Sequence, residues 1–248
     1  MSGHSKWAGI KHKKAIVDAK RGKIFTKIIR DIIVATKEGG ARVENNSRLK
    51  KAVECAKEIN MPQNNIKRAI QKSGGNLYES IYSELVYEGY GPGGVALIVN
   101  VITNNKNRTA SDIRRIFSKY SGSFGETGCV SWMFERKGRI TVNKFAVSEE
   151  VIIDAILDTP AEDFKNLKNK SFYEIITAPT DLELVISVLE CKSIPFISTD
   201  IIMIPKIWTT IEGNDAKLML EFIDKLKNHD DVKNIYTNFN IITNDIKD

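Results

Sequence analysis

The sequence predicts an α+β protein of three domains, an N-terminal three-helix domain and two ferredoxin-like α+β domains, with the third inserted within the second. Three observations carry this. Residues 1–72 repeat apolar side chains three and four positions apart. From about Ser83 the pattern shortens to that of strands. Beyond Arg139 the segments run strand, helix, strand, strand, helix, strand, which is a ferredoxin-like order and closes one small domain. At 248 residues the chain is long enough for two or three domains, and 42% apolar with 27% charged residues is an ordinary globular composition.

Taken in order, Ile16–Lys37 reads as a helix. Ile24, Phe25, Ile28, Ile29, Ile32 and Ile33 make its apolar face, and Gly39-Gly40 stops it. Asn46-Ser47 supplies capping residues for a second helix to Asn60, with Leu49, Ala52, Val53, Ala56 and Ile59 inward. Pro62 suits the first turn of a third, whose inner face is Ile66, Ala69 and Ile70. Leu85–Tyr87 and Val95–Ile102 read as strands, joined by the glycine-dense turn Glu88–Gly94. A phosphate-cradling loop leads from a strand into a helix, whereas this one joins two strands, so a wide hairpin turn is preferred. A helix Ala110–Tyr120 with Ile113, Ile116 and Phe117 inward comes next, then a strand Val130–Phe134 that ends at Glu135–Gly138.

The ferredoxin-like set comprises strands Arg139–Asn143, Ala161–Lys165, Tyr173–Thr177 and Phe196–Ile204, with helices Glu149–Leu157 and Leu182–Cys191. After Pro205 come a short strand near Trp208, a helix Ala216–Leu226 and a strand Val232–Phe239. These cannot bury a core alone, but they complete a second α+β unit with the strands and helix before residue 135. The expected domains are therefore 1–80, 81–135 plus 206–248, and 136–205.

Charge supplies the functional signal. Residues 1–72 hold 18 Lys+Arg against 6 Asp+Glu, a balance of +12; the remaining 19 and 25 give −6. Such asymmetry points to a nucleic-acid contact in the first domain. Its arm, with His4, Lys6, Trp7, Lys11, His12, Lys13 and Lys14, has no acid before Asp18 and reads as flexible and cationic, with one ring for stacking. Lys20, Lys23, Lys27 and Arg30, joined by Arg21, form a basic row nearly opposite the apolar face, expected as a solvated footprint. Lys67, Arg68, Arg108 and Arg114 are further candidates; Arg108 with Arg114 and Arg115, on a helix that also carries Lys119, would make a second polyanion contact or else hydrogen-bond to nearby loops.

Other classes are weaker. No run approaches the roughly 18 apolar residues of a membrane span, and the N-terminus lacks the apolar core of a secretory signal. Cys55, Cys129 and Cys191 are dispersed, which fits a reducing cytoplasm and no disulfide framework. His4, His12 and His229 are too scattered for a metal cluster, and no catalytic constellation appears, so no cofactor and no enzyme activity are expected.

Specific motifs then point to a family. Gly3–Trp7 with Ile10–His12, Arg21–Lys23 with Phe25–Lys27, Asn60–Pro62 with Asn65-Ile66 and Arg68–Ile70, Tyr87–Gly94, Asn107–Thr109, Phe117–Lys119 and Tyr236 with Asn238-Phe239 resemble the YebC/PmpR family. The resemblance spans nearly the whole chain; Asn64 and Asn104 stand where the family carries aspartate, and Lys106 where it carries arginine. It implies one helical and two α+β domains and control of gene expression without catalysis. The expected partner is duplex DNA, for a transcriptional regulator acting as a monomer. The alternative partner is ribosomal RNA or the ribosome, for a factor assisting translation of difficult stretches such as proline runs.

Overall fold

The computed structural model describes residues 3–73, 82–167 and 170–241, with the side chains of 3–17, 19 and 20 outside that set. It divides into two compact units. One comprises residues 1–127, 211–235 and 241–248; the other comprises 128–210 and 236–240, so most of the second is inserted into the first.

The first unit opens with α1, Gly3–Gly39. The N-terminal stretch expected as a flexible arm is thus helical and continuous with the remainder of α1. Lysine and alanine are good helix formers, no proline interrupts, and one interior glycine costs only about 1 kcal/mol. The helix ends where expected: Gly40 adopts φ +85° and its N–H donates to Thr36 O. α2 (Ser47–Glu58) and α3 (Gln63–Ser73) fold against it. Ile32, Ala35, Leu49, Val53, Ala56, Met61, Ile66 and Ala69 form their shared core, whereas Ile24 is half-exposed at the end of the apolar stripe.

Asn46 joins α1 to α2. Its Oδ1 accepts from Leu49 N–H at 3.0 Å as the N-cap, while its Nδ2 donates to Ala35 O (2.7 Å) and Gly40 O (2.9 Å). The side chain is buried, so both donated bonds matter.

The rest of this unit is a four-stranded sheet in the order β3-β1-β2-β9, with helices α4 (Lys106–Lys119) and α7 (Gly213–Lys227). β1 (Ser83–Tyr90) and β2 (Ala96–Thr103) pair antiparallel from Ser83 opposite Thr103 to Tyr90 opposite Ala96. β3 is Ser123–Phe124 and β9 is Val232–Thr237. Phe117 of α4 meets Phe222 of α7 edge-on, with ring centroids 4.9 Å apart.

The glycine-dense turn has a packing explanation. A Cβ on Gly89 would run into Ser123 O and lie 2.6 Å from Phe117 Cε1, and Gly93 sits at φ +68°. Close approach and a left-handed backbone select glycine here.

The second unit carries the sheet β5-β6-β4-β7, made of β4 (Phe134–Asn143), β5 (Ala161–Lys165), β6 (Phe172–Thr177) and β7 (Ser198–Pro205). α5 (Glu149–Ile156) and α6 (Leu182–Cys191) bury Ile140, Val142, Ile152, Ile175, Val185 and Leu189 with it. A two-stranded ribbon pairs β8 (Thr209–Ile211) with β10 (Phe239–Ile241).

The expected strand Val130–Phe134 is not formed: Ser131–Met133 is a 3₁₀ turn, and β4 begins at Phe134 and runs through the charged residues expected to end it. Those charges are satisfied in place, because Lys137 Nζ pairs with Glu135 (2.9 Å) and Glu162 (2.6 Å). A Cβ on Gly138 would run into Thr177 Oγ1 on the paired strand β6 and lie 3.1 Å from Leu182 Cβ of α6, so both neighbours select glycine.

Two substitutions probe these contacts. Asn46→Asp retains the cap acceptor but turns oxygens toward two carbonyls, so urea unfolding should show a loss of about 2 kcal/mol. A capping role alone would leave aspartate equivalent. Gly89→Ala should cost about 1–3 kcal/mol by the same measurement, because the obstacle includes backbone.

Candidate nucleic-acid interface

The basic row of α1 is engaged within the protein, in contrast to the solvated face expected. Lys27 Nζ donates to Lys227 O at 2.7 Å, Arg30 Nη1 to Asp230 O at 2.6 Å, and Lys23 Nζ reaches Asn228 O at 3.5 Å. These carbonyls lie at and just beyond the C-terminus of α7, where unsatisfied C=O groups and the helix dipole attract cations. Burial pushes the Lys27 ammonium below its ordinary value; Asp230 opposes this, and Lys23 and Arg30 reinforce it. The row therefore clamps one helix to another, and its Lys23 end is half-exposed to solvent.

The clamp leads to Asp231, which is 4% exposed. Its Oδ1 accepts from Arg30 Nη1 at 2.7 Å. Its Oδ2 accepts from Thr109 Oγ1 (2.6 Å), Arg108 Nη2 (3.1 Å) and Thr103 Oγ1 (3.2 Å). The backbone is used as well: Asp231 O accepts from Ile102 N–H, and its N–H donates to His229 Nδ1. Burial alone would raise the carboxyl pKa. The hydrogen bonds from Thr109 and Arg108 and the charges of Arg30 and Arg108 overcome it, and the pKa falls below the ordinary value.

Around this carboxylate lies a cleft of about 680 Å³, lined by Lys23 and Arg30 of α1, Arg108, Asp112, Arg115, Ile116 and Lys119 of α4, and Lys225 through Asp231 in part. Six cationic side chains face three carboxylates there. Arg108, Arg115 and Lys119 are seven and four residues apart, so one face of α4 presents all three. Arg115 is 82% exposed with Asp112 at 3.3 Å, a pair worth little in water. Such a surface can take the phosphates of a polyanion, which fixes position without reading sequence.

The remaining candidates divide. Arg21 Nη2 donates to Ile59 O and Asn60 O, both at 3.4 Å, at the end of α2. Lys67 and Arg68 are exposed on α3. Arg114 turns away from the cleft, with its guanidinium 5.1 Å from the centroid of the Phe124 ring. His4, Lys6, Trp7, Lys11, His12, Lys13, Lys14 and Lys20 lie outside the described side chains. Sequence reasoning left Lys225 and His229 out of the site and placed Arg114 in it ahead of Arg115. The spacing of Arg108, Arg115 and Lys119 was the available signal for α4; nothing local marked Lys225.

Asp231→Asn leaves Arg30 facing a neutral group inside the protein, so urea unfolding at pH 7 should show a loss of about 3 kcal/mol. The sign with pH comes from a carboxyl lowered on folding. Its stabilisation is complete above the unfolded value of about 3.9 and is lost as pH falls through the folded one. The gap between wild type and variant should accordingly narrow below about pH 4.

The same chain has close counterparts among known proteins. Residues 5–76 match the family described as the TACO1/YebC protein N-terminal domain, and residues 82–239 match the TACO1/YebC second and third domain. A protein of Endomicrobium trichonymphae named "Probable transcriptional regulatory protein" is 57% identical over 247 residues, covering 100% of this chain and 98% of that one. One of the same name from Natranaerobius thermophilus is 51% identical, with 97% of each chain covered. The crystal structure of a conserved hypothetical protein from Aquifex aeolicus superposes with a TM-score of 0.82 at 41% identity, over 94% of this chain and 95% of that one. From its sequence matches along both segments and its shared fold, the chain belongs to the TACO1/YebC family.

Proposed function

We propose that this protein is a non-enzymatic, nucleic-acid-binding regulator of gene expression, and that duplex DNA is its target in a transcriptional role. The observation that carries this reading is the cleft around Asp231, where cations from α1, α4 and the end of α7 converge. Arg30 and Arg108 are held in place by Asp231, which spares binding part of the cost of ordering them. Arg115, Lys119 and Lys225 then supply the charge that meets phosphate, with Lys67, Arg68 and the N-terminal part of α1 extending the contact. The names of the relatives favour the transcriptional role.

One observation favours RNA as a second reading. Among the described residues lining the cleft, Asn228 is the one amide side chain, and one N–H of its Nδ2 donates to Asp224 O at 2.8 Å. The wall thus carries mostly phosphate-binding groups, with a single, partly engaged amide to read a base edge. Recognition by backbone and shape suits structured RNA, and with it a ribosome-associated role in translation.

Arg115→Ala/Lys119→Ala/Lys225→Ala, folded by circular dichroism, should bind labelled duplex at least tenfold more weakly. The slope of log affinity against log salt should shrink by about 0.9 for each phosphate left unneutralised. Unchanged affinity would remove the cleft from the interface. Preference for promoter over scrambled duplex selects the transcriptional role; salt-resistant co-sedimentation with ribosomes, without duplex preference, selects the other.

A further inference from the structure

The inserted unit carries a feature that the cleft does not account for. Trp132 is 58% exposed and Trp208 is 52% exposed, with Ile207 beside the latter at 49%. Tryptophans this exposed are uncommon, and two at one end of a sheet are candidates for contact with a ligand. The strand register brings them together. Phe134 of β4 stands opposite Pro205 of β7, and Lys206 N–H donates to Met133 O at 2.8 Å. Trp132 therefore leads into one strand at the same sheet end from which Ile207 and Trp208 leave the other.

Both segments are fixed. The Trp132 indole N–H donates to Cys129 O at 3.1 Å, which uses its single polar group and leaves the ring to interact through its faces. The stretch carrying Trp208 is held on either side: Asn238 Nδ2 donates to Ile207 O (3.0 Å) and Thr209 Oγ1 (3.2 Å), and Thr209 N–H donates to Asn238 O (2.7 Å). Arg136, two residues into β4, and Lys206, next to Ile207, are exposed cations at the same edge. Anchored rings beside cations match the chemistry of unpaired nucleotides, whose bases stack on aromatic faces while their phosphates seek positive charge. A base-paired duplex offers no free base faces.

We infer that Trp132 and Trp208 form a stacking platform for unpaired bases of single-stranded RNA, a contact distinct from the basic cleft. It asks of the ligand a flexible segment a few nucleotides long, such as a loop or an end. Binding there adds to the cleft's affinity when one RNA reaches both, and is independent of it otherwise.

The test uses the full chain and two probes, a labelled single-stranded oligouridine and a labelled duplex of equal length, read by anisotropy. Trp208→Ala and Trp132→Ala should each weaken single-strand binding about tenfold and leave duplex binding unchanged. Trp132→Phe, which keeps a stacking face, should recover most of the loss and guards against a Trp132→Ala chain that fails to fold. The cleft variant Arg115→Ala/Lys119→Ala/Lys225→Ala should weaken both probes, so failure of the platform and failure of the cleft are told apart. Undiminished single-strand binding by folded Trp208→Ala and Trp132→Ala overturns the platform and returns the two rings to a protein-docking role. Equal loss on both probes also overturns it.

Discussion

The buried carboxylate of Asp231 is the constraint on which the first unit depends. Four side chains converge on it from α1, β2 and α4, and its own backbone links β2 to the turn after α7. A charge withdrawn from water is costly unless its oxygens are hydrogen-bonded, and here both are. Removing the carboxylate would therefore take from Arg30 and Arg108 the anion they share. Arg30 carries part of the burden: its Nε is buried without a hydrogen-bond partner among the described residues, so its placement rests on Nη1. This demanding geometry also sets the cleft, because the arginines that satisfy the carboxylate line its wall.

The sequence was most legible where structure is local. The faces of α2, α3 and α4 arise from periodicity, and the ferredoxin-like order from alternation of strands and helices whose partners lie close along the chain. Long-range chemistry was hidden. The row Lys23, Lys27 and Arg30 looked like a solvated surface because its partners are backbone carbonyls about 200 residues away, which no side-chain pattern can announce. The charged run in β4 looked like a stop because its partner Glu162 lies on another strand. Arg114 and Arg115 are adjacent in sequence, yet one helical step of roughly 100° sends one to an aromatic ring and the other to the cleft.

The two α+β modules differ in what their special residues do. In the first, glycines in the turn after β1 allow helices and strands to approach, and polar groups gather around one buried acid. In the second, Gly138 makes room for Thr177 of β6 and for α6, while the sheet carries its charges in cross-strand pairs and displays its rings at one end. A similar fold thus supports an electrostatic surface in one module and an aromatic one in the other, as expected when function resides in sites and not in architecture.

The discontinuity of the first unit bears on the order of events during synthesis. Its early part, through residue 127, is made before any of the inserted unit, but α7 and β9 come after the main stretch of that unit, residues 128–210. Lys27 and Arg30 must wait for carbonyls and a carboxylate translated about 200 residues later. At the usual pace of roughly 5–20 residues per second, that interval is on the order of 10–40 s. Throughout it the cationic face of α1 is open beside the ribosome making it, while the inserted unit, contiguous but for a short late segment, can begin to collapse. Closure of the first unit waits on its own late segment, and it changes the charge the nascent chain shows to its surroundings.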